Sequence, residues 1–355
     1  MEASRTLVEP DSKILVTGAG GFIGRRVVAS LIENGLTNIR CLVRSARNRG
    51  EDRLTPLAQS TGARIEIFEG NLLSRQDCNR MCKDVQIIYH MAAGRGEKSY
   101  ASAYLNSVVS TRNLMDACLQ ERHFKRFVNV SSFAVYSNRS QCFGRAFVDE
   151  DCPVEEHAAL RADAYCYAKV KQEEIVVQYG ERHRLPYVIV RPGVVYGPGN
   201  EKIHGRVGIG TFGVFLHLGG SNKVPLTFVD NCAEAIILAG TTSGVEREVF
   251  NVVDDDLPSS RRFLRLYKSN VRRFPSIYVP KPLSYFLCFL WEKLAEWSEG
   301  QLPNTFNRRT WHAMWKETGY TNDKLKRRLR WSQKVPTSEG LRLYFQSCRA
   351  KEHHA

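Results

Sequence analysis

The 355-residue chain lacks the features that mark a metal protein, a secreted protein or a membrane-spanning one. None of its ten cysteines stands in a Cys-x-x-Cys pair. The nearest two, Cys78 and Cys82, have no histidine-rich partner downstream, which excludes the common zinc frameworks and reads as free thiols in a reducing compartment. No apolar run approaches the roughly eighteen residues that a membrane-spanning helix needs. The first residues, MEASRTLVEPDSK, carry no basic segment followed by an apolar one, so no secretory signal is expected and a cytoplasmic location is the default. Acid is scarce late in the chain. From Leu257 to Ala355 there are 20 Lys and Arg against 7 Asp and Glu, whereas residues 1–256 balance at 31 against 30.

That late surplus has its densest point at KLKRRLR, residues 324–330. It suits an anionic partner such as a phosphate-bearing substrate or an acidic membrane surface, with nucleic acid disfavoured. An ordinary solvated helix face accounts for it equally well.

What the chain does have is alternation. KILVTG (13–18), IRCLVR (39–44), ARIEIFEG (63–70), VQIIYHMAA (85–93), KRFVNVSS (125–132) and PYVIVRPG (186–193) read as strands. Helical patterns stand between most of them, including 22–35, 74–82, 100–121 and 162–183. Strands apolar on both faces, alternating with helices, predict an α/β protein with a Rossmann-type, doubly wound parallel sheet. After residue 196 the glycine-rich stretch 205–220 reads as a loop. VPLTFVDNCAEAIILAG then reads as a short strand, an acidic turn and a helix, and residues 257–355 read as mostly helical. The expected division is a dinucleotide-binding domain over 1–196, completed by a strand–helix–strand at 226–256. A smaller, basic substrate-binding portion would be formed by 197–225 and 257–355.

TGAGGFIG (17–24) joins the first strand to the first helix. Gly18, Gly21 and Gly24 allow a tight turn and close approach of a pyrophosphate to a helix N-terminus. At the end of the second strand, where a carboxylate would select NAD, the sequence has Arg44 and Arg47 instead, which favours NADP over NAD. In DAYCYAKVKQEE (163–174), Tyr165 and Lys169 are four apart and share one helix face, while Tyr167 leaves on another.

In order, these segments resemble the extended short-chain dehydrogenase/reductase family, which includes nucleotide-sugar epimerases, dehydratases and 3β-hydroxysteroid dehydrogenase-like enzymes. The resemblance runs from about residue 13 to 256. TGAGGFIG looks like its cofactor loop, with Phe22 and Ile23 between the glycines. GNLL (70–73) stands where the family has Gly-Asp-Leu, so Asn71 and Leu72 would lie near the adenine. HMAA (90–93), with Ala92 and Ala93, NVSSFAVYS (129–137), YCYAK (165–169) and RPGVVYGPG (191–199), with Pro192 and Val194, follow in the family's order.

The resemblance implies Tyr165 as catalytic acid/base, Lys169 as its partner and as the group holding the nicotinamide ribose, and Ser132 as the hydroxyl that orients the reacting oxygen. Ser131 competes with Ser132 for that role, and Asn106 is expected to support structure. A phenol is a poor base at neutral pH, and a nearby ammonium favours the phenolate. The implied reaction is hydride transfer at a secondary alcohol or ketone, in an epimerase, dehydrogenase or reductase. Sugar 4,6-dehydratases carry an Asp-Glu pair just after the active-site hydroxyl, and Phe133 and Ala134 stand there instead.

A nucleotide sugar or related sugar is the leading substrate. A lipid-like alcohol is the alternative, raised by the apolar stretch PLSYFLCFLWEKLAEW (282–297), which more simply reads as a packed helix of the substrate portion. A catalytically silent NADPH-binding regulator is the reading from another class, and a homodimer through the helices 100–121 and 162–183 is the family's expectation.

Overall fold

The computed structural model describes residues 6–44, 61–94, 99–137, 147–299 and 301–352. Seven strands make the main sheet: β1 (Ile14–Thr17), β2 (Asn38–Val43), β3 (Arg64–Glu69), β4 (Ile87–His90), β5 (Arg126–Val130), β7 (Tyr187–Pro192) and β12 (Val249–Val252). Every pairing is parallel, in the order β12-β7-β5-β4-β1-β2-β3. β6 (Phe147–Val148) pairs with β14 (Gly319–Tyr320), and β8 (Val194–Tyr196) with β11 (Leu226–Phe228). A three-stranded sheet combines β9 (Gly208–Thr211), β10 (Val214–His217) and β13 (Ser276–Tyr278).

Alternation along β1 shows why the main sheet is covered on both faces. Ile14 and Val16 pack with Val27, Val28 and Leu31 of α1 (Phe22–Glu33) and with Ile236 of α6 (Val229–Thr241). Leu15 points the other way. It joins Met81 of α2 (Arg75–Cys82), Leu114 of α4 (Ser110–Cys118) and Val176 of α5 (Ala164–His183). Strands apolar on both sides are what such a sandwich requires. Chain order along the sheet reverses between β1 and β4, and a crevice opens there at the carboxyl ends of the strands.

α3 (Tyr100–Tyr104) runs into α4 through a π-helical turn, Leu105–Val109, so the helical segment expected over 100–121 is locally widened. The glycine-rich stretch 205–220 is not a loop. It forms the antiparallel β9–β10 hairpin, in which Gly208 lies so close to the opposite strand that a Cβ would sit 2.1 Å from the Leu216 carbonyl oxygen. No acidic turn follows β11 either, since α6 begins at once and Asp230 lies in its first turn.

The C-terminal part contributes α7 (Ser260–Asn270), α8 (Lys281–Trp297), α9 (Arg308–Trp315), α10 (Asp323–Leu329) and α11 (Thr337–Glu352). α10 holds most of the densest basic run. Leu325 and Leu329 face the core, while Lys324 and Arg328 pair with Glu248 at 2.6 and 3.2 Å and Lys326 with Asp255 at 2.7 Å. Those cations serve the protein's own carboxylates. α8 departs from the expectation of a packed helix: its apolar side chains Leu283, Phe286, Leu287, Leu290, Leu294 and Trp297 are exposed.

Candidate functional site

A cleft of about 570 Å³ opens at the carboxyl ends of the strands. Gly18, Gly21, Phe22, Ile23 and Gly24 line it from the β1–α1 turn, Ala93 follows β4, and Pro192 and Val194 close another side. Gly18 has φ +72, and a Cβ there would meet the Ala92 nitrogen at 3.0 Å, so the turn and the end of β4 lie nearly backbone to backbone. At Gly24 a Cβ would fall 2.1 Å from the Gly18 oxygen. α1 starts at Gly21 with no side-chain cap and no acid in its first turn, so no side chain competes for its leading N–H groups. A helix N-terminus of that kind fits a pyrophosphate.

The first turns of α5 position Tyr165 and Lys169. Asp163 caps the helix by accepting from the N–H groups of Tyr165 (3.0 Å) and Cys166 (3.2 Å). The helix therefore begins at the cleft wall, with Tyr165 lining the cleft and Lys169 one turn further in. Tyr167 points elsewhere and packs edge-on against Tyr100, with ring centroids 5.0 Å apart. Lys169 is 3% exposed, and its ammonium donates to the Val130 carbonyl at 2.7 Å and to Gln172 Oε1 at 2.8 Å. Burial pulls its pKa down to about 8, against the opposing charge of Glu173.

Both candidate serines line the cleft. The Ser132 hydroxyl accepts from the Ala134 N–H at 3.2 Å, while the buried Ser131 Oγ has no partner among the described residues. The Asn106 side chain donates to Ser102 Oγ at 3.4 Å, and its carbonyl accepts from Ser110 Oγ at 2.8 Å inside the widened turn. Arg44 is exposed just after β2, and Arg47 lies outside the described residues. Asn71 follows β3, where its Oδ1 accepts from the Leu73 N–H at 3.0 Å and so holds its own loop. The Leu72 carbonyl accepts from Asn113 at 3.0 Å. These three stand at the same end of the sheet but outside the wall of the cleft.

Sequence reasoning missed what supports Lys169. Gln172 Nε2 donates to Thr111 Oγ1 at 2.8 Å and lies 3.2 Å from His90 Nε2. His90 Nδ1 lies 2.8 Å from Thr17 Oγ1, which accepts from the Ala92 N–H at 3.2 Å. A buried polar chain thus runs from the ammonium to the backbone beside the glycine turn. Burial holds His90 down to about 3, with the nearby Lys169 charge acting in the same direction, so the imidazole is neutral. The one available signal was Gln172 itself, an amide on the inward face of a helix.

The far half of the cleft is also new. It is lined by Tyr196, Val207, Val224, Leu226, Phe263 and Tyr344, with Lys202 and His204 exposed at its edge. No group of His, Cys, Asp and Glu able to hold a metal occurs among the described residues.

The family model for NAD dependent epimerase/dehydratase matches residues 14–252. The chain belongs to that family. Among curated relatives it is 26% identical over 236 residues to an Arabidopsis thaliana protein named as a trifunctional UDP-glucose 4,6-dehydratase, UDP-4-keto-6-deoxy-D-glucose 3,5-epimerase and UDP-4-keto-L-rhamnose-reductase. That match covers 62% of this chain and 34% of the relative. A second Arabidopsis protein of the same description is 25% identical over 268 residues, covering 68% of this chain and 39% of that one. The chain therefore matches little more than a third of the length of these relatives.

Among solved structures, the UDP-glucuronic acid 4-epimerase of Bacillus cereus, in complex with UDP-glucuronic acid and NAD, aligns with a TM-score of 0.71 at 19% identity. The alignment covers 96% of this chain and 99% of that one. The Thermus thermophilus UDP-glucose 4-epimerase with NAD gives 0.67 at 20% identity, covering 95% and 99%. These likenesses establish the fold.

Proposed function

We propose that the chain catalyses reversible oxidation of a secondary alcohol on a nucleotide sugar, as an epimerase or as an oxidoreductase that releases the keto product. One observation carries the reading: Tyr165, Lys169, Ser131 and Ser132 line the same cleft as the glycine turn. A bound nicotinamide cofactor would supply the hydride acceptor there. The Tyr165 phenol takes and returns the hydroxyl proton. The ammonium of Lys169, held in place by Val130 and Gln172, favours the phenolate through its charge. Ser132 orients the reacting oxygen, and its neighbour Ser131 brings a second hydroxyl to the same wall.

Dehydration fits poorly. Phe133 is buried and stacks on Tyr320 with centroids 5.5 Å apart, and Ala134 has no group to move a proton. The names of the relatives favour a UDP-sugar as substrate. The apolar and aromatic far half of the cleft favours a second reading, a lipid-like alcohol in the same chemistry.

The deciding experiment compares Tyr165→Phe with Tyr167→Phe. UDP-glucose and UDP-glucuronic acid are offered on one side, a sterol-like alcohol on the other. Loss of the Tyr165 hydroxyl should cost about 10²–10⁴-fold in turnover, the usual worth of a positioned acid/base. Tyr167→Phe should keep most activity, because that ring packs away from the cleft. The reverse pattern would place the whole site in the wrong register, and no turnover of any alcohol by the unmutated protein would favour a silent binding protein.

For the cofactor we propose a preference for NADP, supported by an exposed arginine just after β2, where a carboxylate would favour the ribose hydroxyl of NAD. Arg44→Ala should narrow the gap between NADPH and NADH affinities, by up to about 1.5–3 kcal/mol if the contact is charged and bidentate. Equal affinities before mutation would sink the preference.

A further inference from the structure

The outer stripe of α8 is built the wrong way round for a helix of a freely soluble protein. Ser284, Cys288 and Ala295 face inward, while Leu283, Phe286, Leu287, Leu290, Leu294 and Trp297 are exposed, Trp297 at 81%. At about 3.6 residues per turn these six fall within roughly a third of the helix circumference, the geometry of an apolar face that normally meets a core.

The stripe is not isolated. Beside it lies a cleft of about 530 Å³ that Leu287, Leu290, Leu294 and Phe306 share with Ile209 and Thr211 of β9. At the hairpin tip next to Thr211, Phe212 is fully exposed at 102%. Its φ of +47 lies in the left-handed region that bulky residues avoid. On the neighbouring strands Leu216 is in register with both Ile209 and Ile277, so Ile277, 59% exposed, extends the same apolar row to the sheet edge. Helix, hairpin tip and edge strand thus present one apolar surface larger than scattered surface residues produce.

We propose that this surface docks on an anionic lipid bilayer, with α8 lying in the interface. Charge selects that occupant. Between Leu257 and Trp291 there is no Asp or Glu, and Arg261, Arg262, Arg265, Lys268, Arg272 and Arg273 crowd into thirteen residues on and just after α7. Only Arg272 among these six has a carboxylate partner in the described residues, Glu352 at 2.7 Å. The two elements meet across the edge strand β13, which leads directly into α8: Ile277 stands on the side of the sheet shared with Leu216 and Ile209, and Ser276 and Tyr278 alternate to the side of α7. The Arg261 guanidinium lies 5.4 Å from the Tyr278 ring, and Lys268 Nζ donates to Ser276 Oγ at 2.6 Å. A second copy docked on this face about a two-fold axis would bring the two cationic runs together, which anionic headgroups would instead neutralise. Tyr278 and Trp297 are side chains that suit the headgroup level. No helix among the described residues is long and apolar enough to cross a membrane, so the helix lies on the bilayer rather than through it.

The docking is independent of the reaction proposed above and is measured without any substrate. The full chain is mixed with vesicles of phosphatidylcholine alone, or with phosphatidylserine added, and read by co-sedimentation and by tryptophan emission. Binding should be strong and salt-sensitive only with phosphatidylserine, with a blue shift from Trp297. In Phe286→Ser/Leu290→Ser/Leu294→Ser the partition coefficient should fall about tenfold or more for each side chain replaced. Arg262→Gln and Arg265→Gln should each lower it by about fivefold. All five positions are exposed, and an unchanged Tm shows that the fold survives. Equal binding to neutral and anionic vesicles, or an unaffected triple variant, would overturn the proposal. So would a protein that ignores both vesicles and loses a self-association when the stripe is replaced, since a second copy would then be what covers the face.

Discussion

Lys169 sits in an environment that works against its charge. Burial lowers it to about 8 from an ordinary value near 10.5, and the Glu173 carboxylate pulls the other way. The group is therefore charged below about pH 8 and loses its proton above it, so any step that needs the ammonium should weaken as pH rises through that value. Gln172 Oε1 is one of two acceptors on the ammonium and sits in a buried chain with His90, Thr111 and Thr17. Its expected role is to position Lys169, not to touch substrate. Gln172→Leu removes an acceptor and should move the alkaline limb of NADPH binding to lower pH. Gln172→Glu adds a carboxylate and should move that limb higher. Opposite shifts cannot come from a merely structural loss, which would weaken binding at every pH. Fluorescence titration of NADPH from pH 6 to 10 reads the limb without a known substrate, and two variants with unshifted limbs would remove Gln172 from the site.

At the scale of elements, what the sequence made legible was whatever a local pattern dictates. Most strands of the main sheet are apolar on both faces, the edge strand β3 being the exception with Arg64, Glu66 and Glu69 exposed, and the glycine turn announces the start of α1, so the architecture was legible from pattern alone. That Tyr165 and Lys169 share a helix face was readable for the same reason, since four residues on a helix are about one turn, whereas their roles rest on the family resemblance. The β9–β10 hairpin was not, because glycines read as loop until a facing strand approaches too closely for a side chain, as Leu216 does at Gly208. The chain supporting Lys169 was hidden differently: Gln172 and His90 are 82 residues apart and meet only when α5 packs against the sheet. The periodicity of α8 predicts an apolar stripe but carries no information on whether that stripe faces in or out, and a packed helix was the natural expectation. Within the basic run at 324–330, the pairing of Lys324 and Arg328 with Glu248 and of Lys326 with Asp255 was not legible, because those carboxylates are distant in sequence and meet the run only in the fold.

On the scale of the whole molecule, one buried carboxylate ties the dinucleotide-binding sheet to the C-terminal segment. Asp254, just after β12, accepts from the Phe228 N–H at 3.0 Å, from Asn231 Nδ2 at 2.9 Å and from the Tyr196 hydroxyl at 3.3 Å. Asn231 in turn holds Val335, its Nδ2 donating to the carbonyl and its Oδ1 accepting from the N–H, both at 2.9 Å, while its own carbonyl accepts from Trp331 Nε1 at 3.2 Å. Burial pushes Asp254 up to about 7, outweighing the hydrogen bonds that favour its ionised form. In the unfolded chain the same carboxyl titrates near 3.8, so between about pH 4 and pH 7 the folded state binds more protons than the unfolded one. Stability should therefore fall as pH rises through that window, with a total contribution on the order of a few kcal/mol. His90 acts in the opposite direction, because its folded value of about 3 lies below the 6.5 of an ordinary imidazole and favours the native state as pH rises. Only a comparison against a variant isolates Asp254. The Phe228 N–H and Asn231 Nδ2 meet different oxygens of Asp254, so in Asp254→Asn the single amide oxygen keeps only one of those two hydrogen bonds, and the group no longer titrates. Denaturant midpoints at pH 5 and pH 7.5 should show the unmutated protein losing ground to the variant at the higher pH. If the two stability curves run parallel, Asp254 is ionised in the folded protein throughout, and the hydrogen bonds from Phe228, Asn231 and Tyr196 are strong enough to hold a full charge in the interior.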